Sequence, residues 1–271
     1  MSSPNTISPD KLNRLIGLPH CPRLLDVRLE DDFAADPVLI PGSVRRNPHD
    51  VEAWAQAIGD EAVVICQRGA KISHGVAALL RHHGTEATVL EGGMEAWRAA
   101  GHVAVRADRL PSRDQRGRTL WVTRSRPKID RIACPWLVRR FIDPDAVFLF
   151  VAPSEVKAVG ERFGAAPFDI EDTFWSHRGE TCTFDTMVHE FGLTFDAMLR
   201  LAGIVRAADT ARLDTVPEAS GLLAVSLGLS RMFAKDLEQL DAGMLVYDAL
   251  YRWCRDATDE THNWPAGKAK V

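Results

Sequence analysis

Cys66 follows an apolar run, Ala62-Val63-Val64-Ile65. It opens the segment Cys66-Gln67-Arg68-Gly69-Ala70-Lys71-Ile72-Ser73, after which Gly75-Val76-Ala77-Ala78-Leu79-Leu80 reads as a helix. The spacing predicts a cysteine at a strand-to-helix turn. Unpaired backbone N–H groups at a helix mouth, the helix dipole and the nearby cations Arg68 and Lys71 all favour thiolate over thiol there. A cysteine more often packs as a small buried hydrophobe. Here two cations, and a glycine that lets backbone approach a ligand, are features an inert core position does not need. The expected chemistry is that of a reactive sulfur.

A second concentration of chemistry lies at Trp175-Ser176-His177-Arg178-Gly179-Glu180-Thr181-Cys182-Thr183-Phe184-Asp185-Thr186-Met187-Val188-His189-Glu190. Imidazole, thiolate and carboxylate within a short stretch can hold a transition metal. His177, Cys182 and Asp185 lie close enough for a loop and a first helical turn to converge. Asp185 and His189 are one helical turn apart and can act as co-ligands, or His189 is an exposed helix residue. The spacing matches no standard zinc pattern, and capping and surface hydrogen bonds are the competing reading.

The elements that must position these groups fall into two halves. In the first, strand-like runs near residues 24–27, 62–65 and 87–90 alternate with helical segments near 51–58, 72–83 and 93–100, the pattern of a parallel sheet flanked by helices. Residues 103–105 suit an edge strand. The stretch 107–118 is polar, rich in arginine and broken by proline and glycine, which reads most simply as a solvated linker between a domain at 1–106 and another at 119–271, the other reading being an anionic-ligand or partner contact. In the second half, strands near 120–123 and 146–151 and a helix near 154–163 precede amphipathic helices near 196–206, 217–233 and 236–255, a helix-rich α+β pattern. Pro135 suits the first turn of a helix and kinks one that starts earlier, so Cys134 sits at a helix N-terminus or irregularity.

A length of 271 residues allows two ordinary domains, each with its own core. A net charge of −4 argues for neither nucleic acid nor membrane as partner, and no basic helix or helix-turn-helix stands out. The polar residues 1–10 lack a signal-peptide core, and no stretch approaches the roughly 18 apolar residues of a membrane span, so a soluble cytoplasmic protein is expected. Five widely spaced cysteines, Cys21, Cys66, Cys134, Cys182 and Cys254, do not form a disulfide framework.

Around Cys66 stand Arg23-Leu24-Leu25-Asp26-Val27-Arg28, Ile40-Pro41-Gly42-Ser43-Val44-Arg45-Arg46-Asn47-Pro48 and Val89-Leu90-Glu91-Gly92-Gly93-Met94-Glu95-Ala96-Trp97. With the cysteine loop, these segments over the first hundred residues resemble a single rhodanese domain. The resemblance implies a sulfurtransferase in which Cys66 takes sulfane sulfur from a thiosulfate-like donor as a persulfide and passes it to a thiol acceptor, with no cofactor. Backbone N–H groups of Gln67, Arg68, Gly69, Ala70 and Lys71 are expected to cradle the persulfide anion, and Arg68 and Lys71 to attract an oxyanion donor. Phosphatases of the same fold family place an arginine six residues after the cysteine to close on phosphate oxygens; here Ile72 holds that position, which disfavours phosphatase chemistry.

In the second half, Lys128-Ile129-Asp130-Arg131-Ile132-Ala133-Cys134-Pro135-Trp136-Leu137, Phe141-Ile142-Asp143-Pro144-Asp145-Ala146, the 177–185 segment, Ile204-Val205-Arg206-Ala207-Ala208-Asp209-Thr210 and Leu227-Gly228-Leu229-Ser230-Arg231 resemble the C-terminal domain of ChrB-type chromate-resistance proteins. The resemblance implies a role in chromate resistance and draws attention to Asp130, Arg131, Cys134, Arg178 and Asp209. Chromate is a tetrahedral dianion for which Arg131, Arg139, Arg178 and Arg206 offer guanidinium donors, while Cys134 and Cys182 offer reductant or metal ligands. The alternative to an enzyme is a non-catalytic sensor of chromate, metal or redox state built on the same scaffold.

Overall fold

The computed structural model describes residues 5–260. Its first half runs through β1 (Thr6–Ile7), α1 (Pro9–Leu15), β2 (Arg23–Asp26), α2 (Glu30–Ala35), β3 (Val38–Leu39), β4 (Ser43–Arg45), α3 (Val51–Trp54) and β5 (Glu61–Ile65). It continues with α4 (Lys71–His82), β6 (Glu86–Leu90), α5 (Gly93–Ala99) and β7 (Val105–Arg106). Five strands form one parallel sheet in the order β1-β6-β5-β2-β4, and β3 pairs antiparallel with β7. The strands alternate between two buried faces, as a parallel sheet covered on both sides requires. Leu25 of β2 and Val64 of β5 join a core with Val51 of α3 and Val76, Ala77 and Leu80 of α4. Their neighbours Leu24, Val63 and Ile65 enter the opposite core with Leu90, Met94 and Trp97.

Buried polar groups brace this sheet. Arg28 is 1% exposed, and its Nη2 and Nε lie 2.7 and 2.9 Å from Asp26 Oδ2. Its Nη1 also donates to the carbonyl of Asp36 at 3.2 Å. The Asp-x-Arg pair thereby ties the 36–38 segment to the end of β2; removing either partner would leave a buried charge uncompensated.

The second half contains β8 (Leu120–Arg124), α6 (Asp130–Leu137), β9 (Val147–Val151), α7 (Val156–Phe163) and β10 (Ala166–Pro167). Four helices follow: α8 (Thr183–Glu190), α9 (Asp196–Asp209), α10 (Glu218–Met232) and α11 (Asp236–Asp256). The three strands make a small parallel sheet in the order β10-β8-β9. The helix carrying Cys134 starts at Asp130, earlier than a proline-led start would place it, so Pro135 lies inside it. Proline has no N–H to donate to the preceding turn, and residues Val138–Ile142 widen into a π-helix immediately afterwards.

The two halves bury one continuous core. Leu12, Leu24, Ile40, Met94 and Trp97 from the first pack in the same cluster as Trp121, Trp136, Phe141, Phe184 and Tyr251 from the second. Backbone meets backbone across the junction where Gly42 N donates to Phe141 O at 2.6 Å, and Arg23 pairs with Asp145. Gly17, at φ +80°, lies so close that a Cβ there would stand 2.4 Å from the Phe141 ring.

The arginine-rich 107–118 stretch is not the solvated tether its composition suggests. Arg109 pairs with Glu190 at 3.3 Å and Arg113 with the buried Asp143 at 3.1 Å, while Asp114 accepts from the backbone of Arg116 and Arg118. Arg109 and Arg113 have carboxylates within reach on the second half, and ion pairing to a buried acid holds the segment down. Among the described residues no helix is long and apolar enough to cross a membrane.

Candidate functional site

Strand β5 ends at Ile65 and α4 begins at Lys71, so Cys66 stands at the turn between them, 4% exposed. Its Sγ lies 3.3 Å from Ala70 N–H and 3.1 Å from Ser73 Oγ. Burial by itself would raise the thiol. Hydrogen bonds from the Ser73 hydroxyl and from the backbone N–H groups of Ala70, Ser73 and Arg68 outweigh it and bring Cys66 below the ordinary cysteine value. Ser73 Oγ also reaches Ala70 O at 3.0 Å, so its single proton has two acceptors within range and can turn to sulfur when sulfur is charged.

The turn owes its shape to two glycines of the Glu91-Gly92-Gly93 segment and to Gly69. Gly69 and Gly93 both have φ +61°, and a Cβ on Gly69 would stand 2.4 Å from Leu90 O. Met94 N–H and Glu95 N–H donate to the carbonyls of Cys66 and Gln67 at 3.0 and 3.1 Å. The start of α5 thus pins the cysteine loop from behind and turns its N–H groups toward sulfur.

The expected anion cradle is backbone rather than side chain. Arg68 Nε lies 3.1 Å from Glu95 Oε1, and Gln67 Nε2 lies 3.4 Å from the same oxygen. Arg68 thus has one contact through Nε to Glu95 in the first turn of the helix that backs the loop, and the pair is exposed and correspondingly weak. Lys71 is exposed at the first residue of α4. Sequence reasoning assigned no role to Ser73 or Glu95; the only signal for Ser73 was a hydroxyl on the first turn of a helix whose apolar stripe begins at Val76.

In the second half, Asp130 is 1% exposed at the start of α6, and its two oxygens accept from Thr183 N at 2.6 Å and Phe184 N at 3.1 Å. A carboxylate so placed satisfies the free N–H groups at the beginning of α8. His177, in the loop before α8, turns Nε2 toward Asp130 Oδ2 at 3.5 Å, Asp169 Oδ1 at 3.3 Å and Asp209 Oδ2 at 3.4 Å. Asp169 in turn receives Arg124 Nη2 at 2.9 Å and Arg131 Nε at 3.2 Å. Burial pushes the Asp130 carboxyl up, and burial with the charges of Asp130 and Asp169 pushes Asp209 up to about 7. The carboxylates of Asp130 and then Asp169 hold His177 up to about 10, against its burial.

The predicted ligand set changes accordingly. His177 joins Asp130 and Asp209, and not Cys182, Asp185 and His189. Cys182 N–H and Sγ both bond Asp185 Oδ2, at 3.0 and 3.2 Å, and Arg206 Nη1 holds the other Asp185 oxygen at 2.7 Å, which makes a helix cap. His189 is exposed at the far end of α8. Burial and nearby acids push the thiols of Cys134 and Cys182 above the ordinary value, so neither is primed as thiolate ligand or reductant. Asp169, which sequence reasoning missed, follows a two-residue strand and has φ +52°, features that leave no mark in spacing.

The four arginines considered for chromate are each paired with a different carboxylate: Arg131 with Asp169, Arg139 with Asp241, Arg178 with Glu190 and Arg206 with Asp185. Arg178 also covers the Phe174 ring and lies outside the His177 group, because Glu190 draws it to the end of α8.

A parallel five-stranded sheet with a cysteine at the β5–α4 turn defines the class of the first half: a rhodanese-like domain, whose family model matches residues 8–100. The second half is a ChrB C-terminal domain; the model described as "ChrB, C-terminal domain" matches residues 121–254. The chain is 36% identical over 149 residues to Protein ChrB of Cupriavidus metallidurans, a match that covers 54% of this chain and 44% of that protein. The chain thus spans less than half the length of that relative. Among solved structures, it is similar to a rhodanese-related protein from Thermoplasma volcanium, at 21% identity over 37% of this chain and 97% of that chain, with a TM-score of 0.33. A thiosulfate sulfurtransferase from Pseudomonas aeruginosa is 24% identical over 38% of this chain and 20% of that chain, with a TM-score of 0.34.

Proposed function

We propose that the protein is a persulfide-forming sulfurtransferase with Cys66 as nucleophile, working without a cofactor in a cytoplasmic response to chromate or related oxyanion stress. The observation that carries this reading is the position of Cys66 Sγ, 3.3 Å from Ala70 N–H and 3.1 Å from Ser73 Oγ at the mouth of α4. Such donors favour the thiolate, which is the attacking form.

With thiosulfate as donor, the Cys66 thiolate attacks the outer sulfur. A new S–S bond forms to Cys66 while the bond to the sulfonate sulfur breaks, and its electron pair leaves with sulfite. The persulfide anion then occupies the ring of backbone N–H groups that held the thiolate, which disperses its charge. An acceptor thiolate attacks the outer sulfur, takes it, and returns Cys66 as thiolate. No external oxidant or reductant enters either step. The link to chromate rests on the likeness of residues 121–254 to the ChrB C-terminal domain.

The test is thiosulfate-dependent sulfur transfer to cyanide or a small thiol by full-length protein, compared with Cys66→Ser. Turnover lost in the variant supports the reading; absence of turnover with every thiol and with cyanide in wild type refutes it. A second reading, a sensor without turnover, is favoured by one observation: the convergence of His177, Asp130 and Asp209, outside the Cys66 loop.

A further inference from the structure

His177, Asp130 and Asp209 converge from a loop, the start of α6 and the end of α9, and play no part in the sulfur chemistry at Cys66. Each offers one ligand atom, and the three atoms lie within 4.8 Å of one another. The three carboxylates around His177 Nε2 stand at 3.3–3.5 Å. A charge-assisted hydrogen bond closes to about 2.7–2.9 Å, so the imidazole is held by these carboxylates through their charge without closing fully on any one of them. These separations suit a different arrangement: ligands about 2.1 Å from a common ion and a tetrahedral angle apart are about 3.4 Å from each other.

The frame around the three atoms is built rather than fluid. Asp130 is fixed by the N–H groups of Thr183 and Phe184, and Asp169 by Arg124, Arg131 and the Thr183 hydroxyl at 3.2 Å. An ion would enter past His177 and Asp209, whose side chains are 42% and 20% exposed, while Asp130 closes the floor. With the imidazole neutral, as a metal ligand must be, three carboxylates facing two guanidinium groups leave a net negative charge that a cation would offset.

We propose that Asp130, His177 and Asp209 form a binding site for a divalent first-row cation of the Mn²⁺ or Zn²⁺ kind, with Asp169 as a charged neighbour and an open coordination position toward solvent. Two carboxylates and an imidazole suit such ions, and the exclusion of Cys134 and Cys182 from the set disfavours soft Cu(I). Three protein ligands with a free position are the arrangement of ions that also take water or a ligand.

The test uses full-length protein titrated separately with Mn²⁺ and Zn²⁺, alongside Asp209→Asn and His177→Gln. The proposal expects one equivalent bound by wild type and affinity at least tenfold weaker in each variant. In wild-type NMR spectra, Mn²⁺ should broaden the amides of Thr183 and Phe184 first, a readout that needs no variant to fold. No binding of either ion at millimolar concentration, binding unchanged in both variants, or broadening centred elsewhere would overturn it.

Discussion

Gly93 lies against the carbonyl of Cys66 so closely that a Cβ at residue 93 would stand 2.2 Å from that oxygen and 2.6 Å from Gly69 N. Both contacts are to backbone, which cannot swing aside, and the glycine also holds φ +61°. Gly93→Ala is therefore expected to displace the cysteine loop and cost about 2 kcal/mol or more of stability. Urea unfolding and sulfur transfer measured together check this; a variant with wild-type values for both would contradict it.

Ser73 supplies the side-chain hydrogen bond that lowers the Cys66 thiol. The reactive form is the thiolate, so activity should rise as pH climbs through the thiol pKa, and that rise should lie below the range of an ordinary cysteine. Ser73→Ala removes a donor to the charged form and should move the rise to higher pH. At neutral pH the rate should fall by roughly two- to tenfold, the worth of one ordinary intramolecular hydrogen bond. The pH profile of single-turnover persulfide formation measures both limbs.

Arg68, in the cysteine loop, is paired with Glu95 at 3.1 Å. Glu95→Gln should free the guanidinium for an oxyanion donor and lower the KM for thiosulfate by about two- to fivefold, with kcat little changed, since an exposed pair is worth roughly 0–1 kcal/mol. Steady-state kinetics at low salt decide it.

Asp26 and Arg28 are a buried pair, each 1% exposed. Asp26→Ala should cost about 3–5 kcal/mol because the guanidinium is left buried without its partner. Denaturant midpoints compared with wild type provide the measurement.

Phe141 packs with Tyr251 from α11 and borders Gly17 in the first half. Phe141→Ala should cost about 3–5 kcal/mol and lower the unfolding midpoint of both halves together, since they bury one core. Two separate transitions, with the first half unmoved, would contradict a shared core.

Much of this was legible where the determinants are local. An apolar strand followed by Cys66, two cations and a helical stripe placed the cysteine at its turn, and alternating strands and helices announced the parallel sheet. Helix α2 escaped notice because Glu30–Ala35 buries no residue and so has no apolar period. The His177 cluster was only half visible. Asp130 and Asp209 drew attention by resemblance, but spacing favoured Cys182 and Asp185 as partners, and their reciprocal cap is a local solution that spacing cannot tell from ligation. The shared core was invisible for a different reason: an apolar stripe on α11 announces burial without naming what covers it.

The most direct test of the central claim is the intact mass of the full-length protein after brief exposure to thiosulfate. Wild type should gain the mass of one sulfur atom, lost again on adding cyanide, while Cys66→Ser should gain nothing. A wild-type protein that gains no sulfur, or a Cys66→Ser variant that gains as much, would contradict the assignment of Cys66 as the sulfur carrier.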